Sequence, residues 1–175
     1  MTPIVPGTHL DHLLRQTRMH HVQLSSMADV KANIMLSLAA VLTTFSIGYL
    51  SDPVLRWPVV VLILFCVTTV FFAAYAVMPK LNFDFRPDVK NPNCNILFFG
   101  NFMNLNYEDF GDIMDEIMHS SDKVYEAQIR EVYELGVYLG HQKYRYVRLA
   151  YLTFISGLVS SGGLLILIEI IRLWR

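Results

Sequence analysis

Residues 121–175 decide the fold, and they read SDKVYEAQIREVYELGVYLGHQKYRYVRLAYLTFISGLVSSGGLLILIEIIRLWR, without a proline. The part up to Arg148 is charged and amphipathic, whereas Leu149 to Ile168 contains no charged residue. About twenty residues at a helical rise of about 1.5 Å span about 30 Å, the thickness of a bilayer's hydrocarbon core. Because nothing breaks the helix at the junction, we predict one continuous helix that begins in the cytosol and runs through the membrane.

Two further uncharged runs, residues 32–50 and 57–78, are long enough to cross a bilayer. Three such runs exceed what the core of a small soluble bundle needs, and 54% of the chain is apolar. We therefore predict an all-α membrane protein with three transmembrane helices, two of which extend into a cytosolic helical domain. The predicted parts are a cytosolic N-terminal helix (1–31), a transmembrane hairpin (32–78), a cytosolic loop with helices (79–148) and a third transmembrane helix (149–175).

The lysines and arginines predict the orientation in the membrane. Eleven precede the first span or lie between the second and third spans, and three lie on the other side. The eleven are Arg15, Arg18, Lys31, Lys80, Arg86, Lys90, Lys123, Arg130, Lys143, Arg145 and Arg148; the three are Arg56, Arg172 and Arg175. The positive-inside rule therefore places the N-terminus and the central segment in the cytoplasm and the C-terminus outside the inner membrane.

The two helices that leave the membrane are predicted to pack on each other. The first meets no breaker before Gly48, so it should pass unbroken into its span. On the other helix, a seam of positions spaced 4,3,4,3 is typical of packing against a neighbouring helix. The seam consists of Tyr125, Ile129, Val132, Gly136 and Leu139. An apolar stripe within residues 10–28 is the obvious partner.

Residues 81–106 are the only irregular stretch, rich in proline and asparagine. The alternation Phe83/Phe85 and the run Ile96–Phe99 either pair as a short β-hairpin or dock on nearby helices. A loop of this length is uncommon unless it is functional. Asn106 is predicted to cap the helix that follows, residues 107–118, which has one acidic and one apolar face.

Composition limits the function classes. A formal net charge of −1 argues against nucleic acid as the main partner. The chain has no nucleophile-plus-base pattern, no Gly-rich phosphate loop and no metal-ligand spacing, and the pairs His9/His12 and His20/His21 lack a third ligand. We therefore expect no enzyme activity, no metal and no cofactor.

Three short motifs stand in order along the three-span layout. Asp29-x-Lys31-Ala32 precedes the first span, Asn95-x-Leu97-Phe98-Phe99-Gly100 lies in the irregular stretch, and Lys143-Tyr144-Arg145-x-x-Arg148-x-Ala150 leads into the last span. Together they resemble the transmembrane effector family of the Pycsar antiphage systems, over about residues 10–170. As a structural or gating motif we assign Asp29, Lys31, Asn95, Phe98, Phe99, Gly100 and Arg148. The alternative for Asp29 and Lys31 is an interfacial helix end with a snorkelling lysine.

The resemblance implies an abortive-infection effector that acts on the inner membrane. In such systems a cyclase makes a cyclic pyrimidine mononucleotide on infection, and the effector then impairs the membrane. No appended nucleotide-binding β-barrel is recognisable, so the chain is either the killing module alone or binds its signal through residues 81–106. The cations expected near an anionic ligand are Lys31, Arg86, Lys90, Lys143 and Arg145. Alternatively, these residues only determine topology.

The last span carries small residues that allow close helix approach, either between copies of the chain or within one copy. They are Gly157, Ser160, Ser161, Gly162 and Gly163. The expected partners are membrane lipid, further copies of the chain, and a cyclic nucleotide or a nucleotide-sensing protein. An alternative function is a membrane-bound sensor or adaptor that recruits a soluble protein through residues 81–118.

Overall fold

A computed structural model describes residues 7–79 and 94–174, and its regular elements are all helical. In chain order they are α1 (Thr8–Ile47), α2 (Arg56–Val77), α3 (Phe99–Phe102), α4 (Tyr107–Met118), α5 (Ser121–Tyr138), a π-helical segment (Leu139–Tyr144) and α6 (Arg145–Leu173). Three helices are long and apolar enough to span a membrane: α1, α2 and the continuous helix from α5 to α6. The prediction of an all-α protein with three such helices is confirmed for the described residues.

The described residues form two compact units. The polar unit contains α1 up to Leu24 and the described residues between Pro79 and Leu139. The span unit contains the rest of α1 from Ser25, all of α2, and the chain from Gly140 onward. All three predicted spans belong to the span unit.

The first helix, α1, runs to Ile47 without a break, as the sequence predicts. The connection to α2 is closed by Asp52, whose Oδ1 accepts hydrogen bonds from the backbone N–H of Leu55 at 3.0 Å and of Val54 at 2.8 Å. These two bonds lower the pKa of the Asp52 carboxyl because they stabilise its charged form. The Asp52 side chain therefore stabilises the short turn together with backbone hydrogen bonds such as that from the Asp52 N–H to the Tyr49 carbonyl at 3.1 Å.

The second long helix is continuous from Ser121 to Leu173, but Leu139–Tyr144 is π-helical. The positions that face inward explain this departure. The inward-facing positions are Leu139, Lys143 and Val147, so two consecutive intervals of four residues separate them. Two α-helical turns take about 7.2 residues, which the two steps exceed by almost one residue. A π turn, with its wider i→i+5 hydrogen bonds, absorbs the extra residue.

Small side chains fill the interior of the span unit. Its buried core consists of Ala28, Ala32, Met35, Ala73, Ala76, Val147 and Ala150. Alanine lets helix backbones approach closely, which is how transmembrane helices gain packing energy without a hydrophobic driving force. Between α2 and α6, the hydroxyls of Thr69 and Thr153 lie 3.1 Å apart, and each also bonds a carbonyl of its own helix. The interior is thus packed, and these two hydroxyls are hydrogen-bonded.

Most of the apolar surface of the three spans points outward. Only 22%, 28% and 6% of the apolar windows of α1, α2 and α6 are buried. Large side chains such as Phe45, Phe71 and Val159 are exposed on the three helices. Such a surface is unfavourable in water and matches the hydrocarbon of a bilayer.

In the polar unit, the first turns of α1 contact α5. The buried Tyr125 donates its hydroxyl hydrogen to Asp11 Oδ1 at 2.7 Å. One side of Gly136 faces the ring of His21, so a Cβ added there would come within 3.2 Å of the imidazole. Tyr125 and Gly136 both belong to the seam predicted on this helix, and at these two positions the seam faces the N-terminal helix, through Asp11 and His21.

The acidic helix α4 has the two faces that the sequence predicts. Asn106 caps it by accepting a hydrogen bond from the Asp109 N–H at 2.7 Å. Four acidic side chains are exposed, namely Glu108, Asp112, Asp115 and Glu116, and the apolar residues between them are half-buried. Phe110 on the apolar face stacks on Phe102 of α3, with ring centroids 4.9 Å apart.

Of the two alternatives for Ile96–Phe99, a strand or docking on nearby helices, the strand is wrong. Residues 96 and 97 form a turn that leads into α3, and no strand occurs among the described residues. The turn forms because Asn95 Oδ1 accepts the Leu97 N–H at 3.2 Å and its carbonyl accepts the Phe98 N–H at 3.3 Å. Phe83 and Phe85, the other half of the predicted hairpin, lie outside the described residues.

Candidate functional site

The most closely connected polar group in the span unit joins α1 to the π-helical segment. The Lys143 ammonium lies 2.7 Å from both carboxylate oxygens of Asp29 and donates to Ser25 Oγ at 2.8 Å. The side chain of Lys143 is only 13% exposed, and that of Asp29 is 39% exposed. We call these three residues the triad.

The sequence positions the triad through helical spacing. Ser25 and Asp29 are four residues apart, so they share one face of α1. Lys143 and Val147 are likewise four apart, and Val147 is buried in the core of the span unit. The lysine therefore lies on the face of the helix that packs inward.

The triad explains how the charge of Asp29 is stabilised beside an apolar segment. A carboxylate close to lipid is costly unless a partner offsets its charge. Its partner is Lys143, distant in sequence, and not the neighbouring Lys31, whose side chain is exposed. The exposed Lys31 fits the interpretation as a snorkelling lysine, whereas Asp29 is paired and fits the interpretation as part of a structural or gating motif.

Two further described cations that were proposed for a ligand or for gating do not join the triad. Arg145 and Arg148 are exposed, and neither has a hydrogen-bond or ion-pair partner among the described residues. Arg86 and Lys90 lie outside the described residues. The assignment of these cations to a ligand stays a prediction.

The second motif is built around the buried Asn95. In addition to accepting the Leu97 N–H, Asn95 donates through Nδ2 to Glu134 Oε2 at 3.0 Å. Its carbonyl also accepts from Asn101 Nδ2 at 2.8 Å. The motif asparagine therefore ties the turn to α5, which gives it a structural role in the polar unit.

The aromatic residues of this motif lie at the surface. Phe98 is 43% and Phe99 is 53% exposed, and their ring centroids are 5.0 Å apart. Gly100 lies against the Phe98 ring, where an added Cβ would collide with ring carbons. The glycine thus leaves room for Phe98 to fold back over the start of α3.

The small residues of the last span divide into two groups. Gly157 is buried, and a Cβ there would collide with Cβ of Phe65 on α2. Ser161 donates its hydroxyl hydrogen to the carbonyl of Pro58, also on α2, at 2.9 Å. These two positions support packing within one chain. Ser160 and Gly163 are exposed and Gly162 is half-buried, with open space around both glycines.

The polar unit contains a cavity that the sequence did not predict. It measures about 490 Å³ and is lined by Asp11, Leu14, Arg15, Arg18, Leu97, Gln128, Glu131 and Val132. Across it, Arg18 Nη2 lies 3.0 Å from Glu131 Oε1. Arg15 and Gln128 have no hydrogen-bond or ion-pair partner in the described part of the chain. The lining is thus mixed, with two guanidinium groups, two carboxylates and an apolar wall.

Two pKa shifts belong to this region. Burial raises the pKa of the Glu131 carboxyl, and the charge of Arg18 offsets this only in part. The hydrogen bond to Asp11 raises the pKa of the Tyr125 hydroxyl because it stabilises the protonated form. Where the chain is described, no three His, Cys, Asp or Glu side chains gather as metal ligands.

Comparison with known proteins agrees with the motifs. A family model described as Pycsar effector protein domain matches residues 12–169. The match includes Asp29, Asn95 and Lys143, so the triad and the turn at Asn95 lie inside the matched region. No curated protein and no solved structure matches the chain. The resemblance inferred from the three motifs is confirmed.

Proposed function

The chain belongs to the Pycsar effector family, and from this premise we propose that it oligomerises in the inner membrane and impairs its integrity when triggered. Family membership and three candidate spans make it a multi-pass transmembrane effector of antiphage defence. The proposed trigger is a cyclic nucleotide or a nucleotide-sensing partner protein. The proposed result is abortive infection, without catalysis by this chain.

One observation supports the proposal that several copies of the chain assemble. The three helices of a single span unit enclose a packed core of alanine, valine and methionine side chains, so the described core of one chain is not a polar channel for ions. Damage to the membrane therefore requires several copies around a common pore, or a collective distortion of the bilayer. Three helices per copy cannot enclose a wide pore on their own.

The face that supports contact between copies is on α6. Because Gly157 and Ser161 face α2 of the same chain, the small residues left for a neighbour are Ser160 and Gly163. Small residues on an exposed transmembrane face allow two backbones to approach closely. We propose that this face contacts a second copy.

Mass measurement in detergent and dye release from liposomes test the proposal together. We expect the purified chain to form a defined oligomer and to release dye once triggered. Gly163→Leu adds bulk to the exposed face and should lower both oligomer content and dye release. Ala40→Leu, which adds the same kind of bulk to an exposed position on α1, serves as the control. A strictly monomeric chain that still releases dye would contradict the oligomer.

A second candidate function is the adaptor that recruits a soluble protein. The exposed acidic face of α4 and the exposed rings of Phe98 and Phe99 favour it, because both offer a free surface. The two functions differ in one outcome. If the membrane stays sealed under every trigger while a soluble protein copurifies with the chain, the adaptor is correct and the effector mechanism is wrong.

A further inference from the structure

The triad and the π-helical segment share a residue, Lys143. The contacts of Lys143 stabilise the π turn, and the π turn places Lys143 next to Asp29. A π turn is rare and is usually retained where something compensates for it. Lys143 lies inside this turn and makes three short polar contacts with α1, two to Asp29 and one to Ser25. These contacts supply the compensation.

Helix geometry makes the dependence specific. Leu139 is 4% exposed and Val147 is 5% exposed, so both ends of the two four-residue steps are buried. In an uninterrupted α-helix, Leu139, Lys143 and Val147 would spread over about 80° of the helix surface, because the two steps overrun two turns by almost one residue. The wider π turn brings the three positions closer to one line. The π turn lets Lys143 reach Asp29 while both apolar residues remain buried.

We propose that the triad is a latch that keeps Leu139–Tyr144 π-helical and holds the effector inactive. The proposal rests on the function proposed above and adds its regulation. In the latched arrangement, α1 and α6 are tied together around a filled core. When the ion pair breaks, the segment interconverts between π- and α-helical hydrogen bonding, the angular offset between Leu139 and Lys143 is no longer fixed, and the span unit is released to rearrange.

Hydrogen exchange of the full chain in lipid nanodiscs tests the latch itself. Lys143→Met keeps the length of the side chain and removes its charge. We expect the amides of residues 139–144 to exchange about tenfold faster or more in this variant and in Asp29→Asn. Lys31→Met is the matched control, since Lys31 lies on the same helix near Asp29, is exposed and has no partner in the described chain. It should leave exchange unchanged.

Two further variants separate a latch from a folding defect. Deletion of Gly140, which is exposed and has open space around it, removes the extra residue. Lys143 is retained but moves away from Asp29, so this variant should collapse the membrane potential as Lys143→Met does, whereas its segment, now without the extra residue, should keep slow exchange. Exchanging the charges, Asp29→Lys with Lys143→Asp, restores the ion pair with the same combined length. It should recover the slow exchange of residues 139–144.

Membrane potential in cells then tests the regulation. At an expression level at which the wild type leaves the potential intact, we expect Lys143→Met and Asp29→Asn to collapse it without a trigger. Unchanged exchange in Lys143→Met, or equal acceleration by Lys31→Met, would overturn the latch. Accelerated exchange with an intact potential at every expression level and under cyclic nucleotides would leave the π-helical latch standing and refute the effector function.

Discussion

Asn95 organises the turn that precedes α3 with a single side chain. Asn95→Ala removes the acceptor for the Leu97 N–H and the donor to Glu134 in a buried position. We expect a loss of about 1–3 kcal/mol in the free energy of unfolding, because buried polar groups lose their partners. Thermal unfolding in detergent measures it.

A second substitution at this position sharpens the test. Asn95→Asp places a carboxylate beside Glu134 and should destabilise the chain more than alanine does. Asn101→Ala removes one bond to a carbonyl that keeps the Phe98 N–H, so its effect should be smaller. If Asn95→Asp were as stable as the wild type, the hydrogen bond to Glu134 would not hold the turn.

The ionisation of Glu131 makes the polar unit sensitive to pH. Its pKa is raised in the folded chain, so the folded state binds the proton more tightly than the unfolded state does. The contribution of Glu131 to the free energy of unfolding is therefore lost as the pH rises through the raised pKa. Glu131→Gln should be more stable than the wild type at pH 7, by less than about 1 kcal/mol, and the difference should close under acidic conditions.

The matched control for this prediction is on the same helix. Glu126 is exposed and lies 3.5 Å from Arg130, so its carboxylate is not penalised by burial. Glu126→Gln should not gain stability at pH 7. Pulse hydrogen exchange of the amides of α5 at several pH values distinguishes the two variants, and an equal response of both would refute the role of burial.

At the scale of elements, the contact between α2 and α6 depends on one glycine. Gly157→Ala forces a methyl group into Cβ of Phe65 and should cost about 1–3 kcal/mol, as overpacking does in other cores. Gly162→Ala meets nothing within 4 Å and should be neutral, or stabilising by up to about 1 kcal/mol, because alanine favours the helix. Thermal unfolding of both variants in one detergent gives the comparison.

The helices were predictable from the sequence to different degrees. The membrane spans were predictable, because a long uncharged run is stable in a bilayer as an α-helix. The π-helical segment was missed because the seam was followed only to Leu139. Continued beyond Leu139, the seam keeps the 4,3 alternation as far as Lys143 and breaks it at the second step of four residues, to Val147. The strand alternative for Ile96–Phe99 was wrong because it rested on apolar composition and left out the hydrogen-bonding capacity of Asn95.

The candidate site was less predictable than the fold. Asp29 and Lys143 were both singled out by motif, but their pairing depends on a contact between residues far apart in sequence. No spacing rule reports such a contact. The cavity beside Arg18 was missed for the same reason, since its lining comes from three separate stretches of chain.

For the whole molecule, the charge distribution predicts the orientation in the membrane. A reporter enzyme that is active only outside the cytoplasm should be active when fused after Arg175. The same reporter inserted at residues 119–121, in the connection between α4 and α5, should be inactive. The reverse pattern would invert the topology and place the triad at the outer end of the spans.

The burial of Cys66 gives the chain a chemical reporter of its own. Cys66 is 1% exposed within the span unit, whereas Cys94 in the polar unit is only half-buried. A membrane-permeant maleimide should therefore label Cys94 first and leave Cys66 intact while the three helices stay together. The time at which Cys66 becomes alkylated therefore reports when α2 separates from its neighbours, and no additional label has to be introduced into the chain. Protection of Cys66 throughout a complete loss of membrane potential would mean that the helices of each copy move as one body.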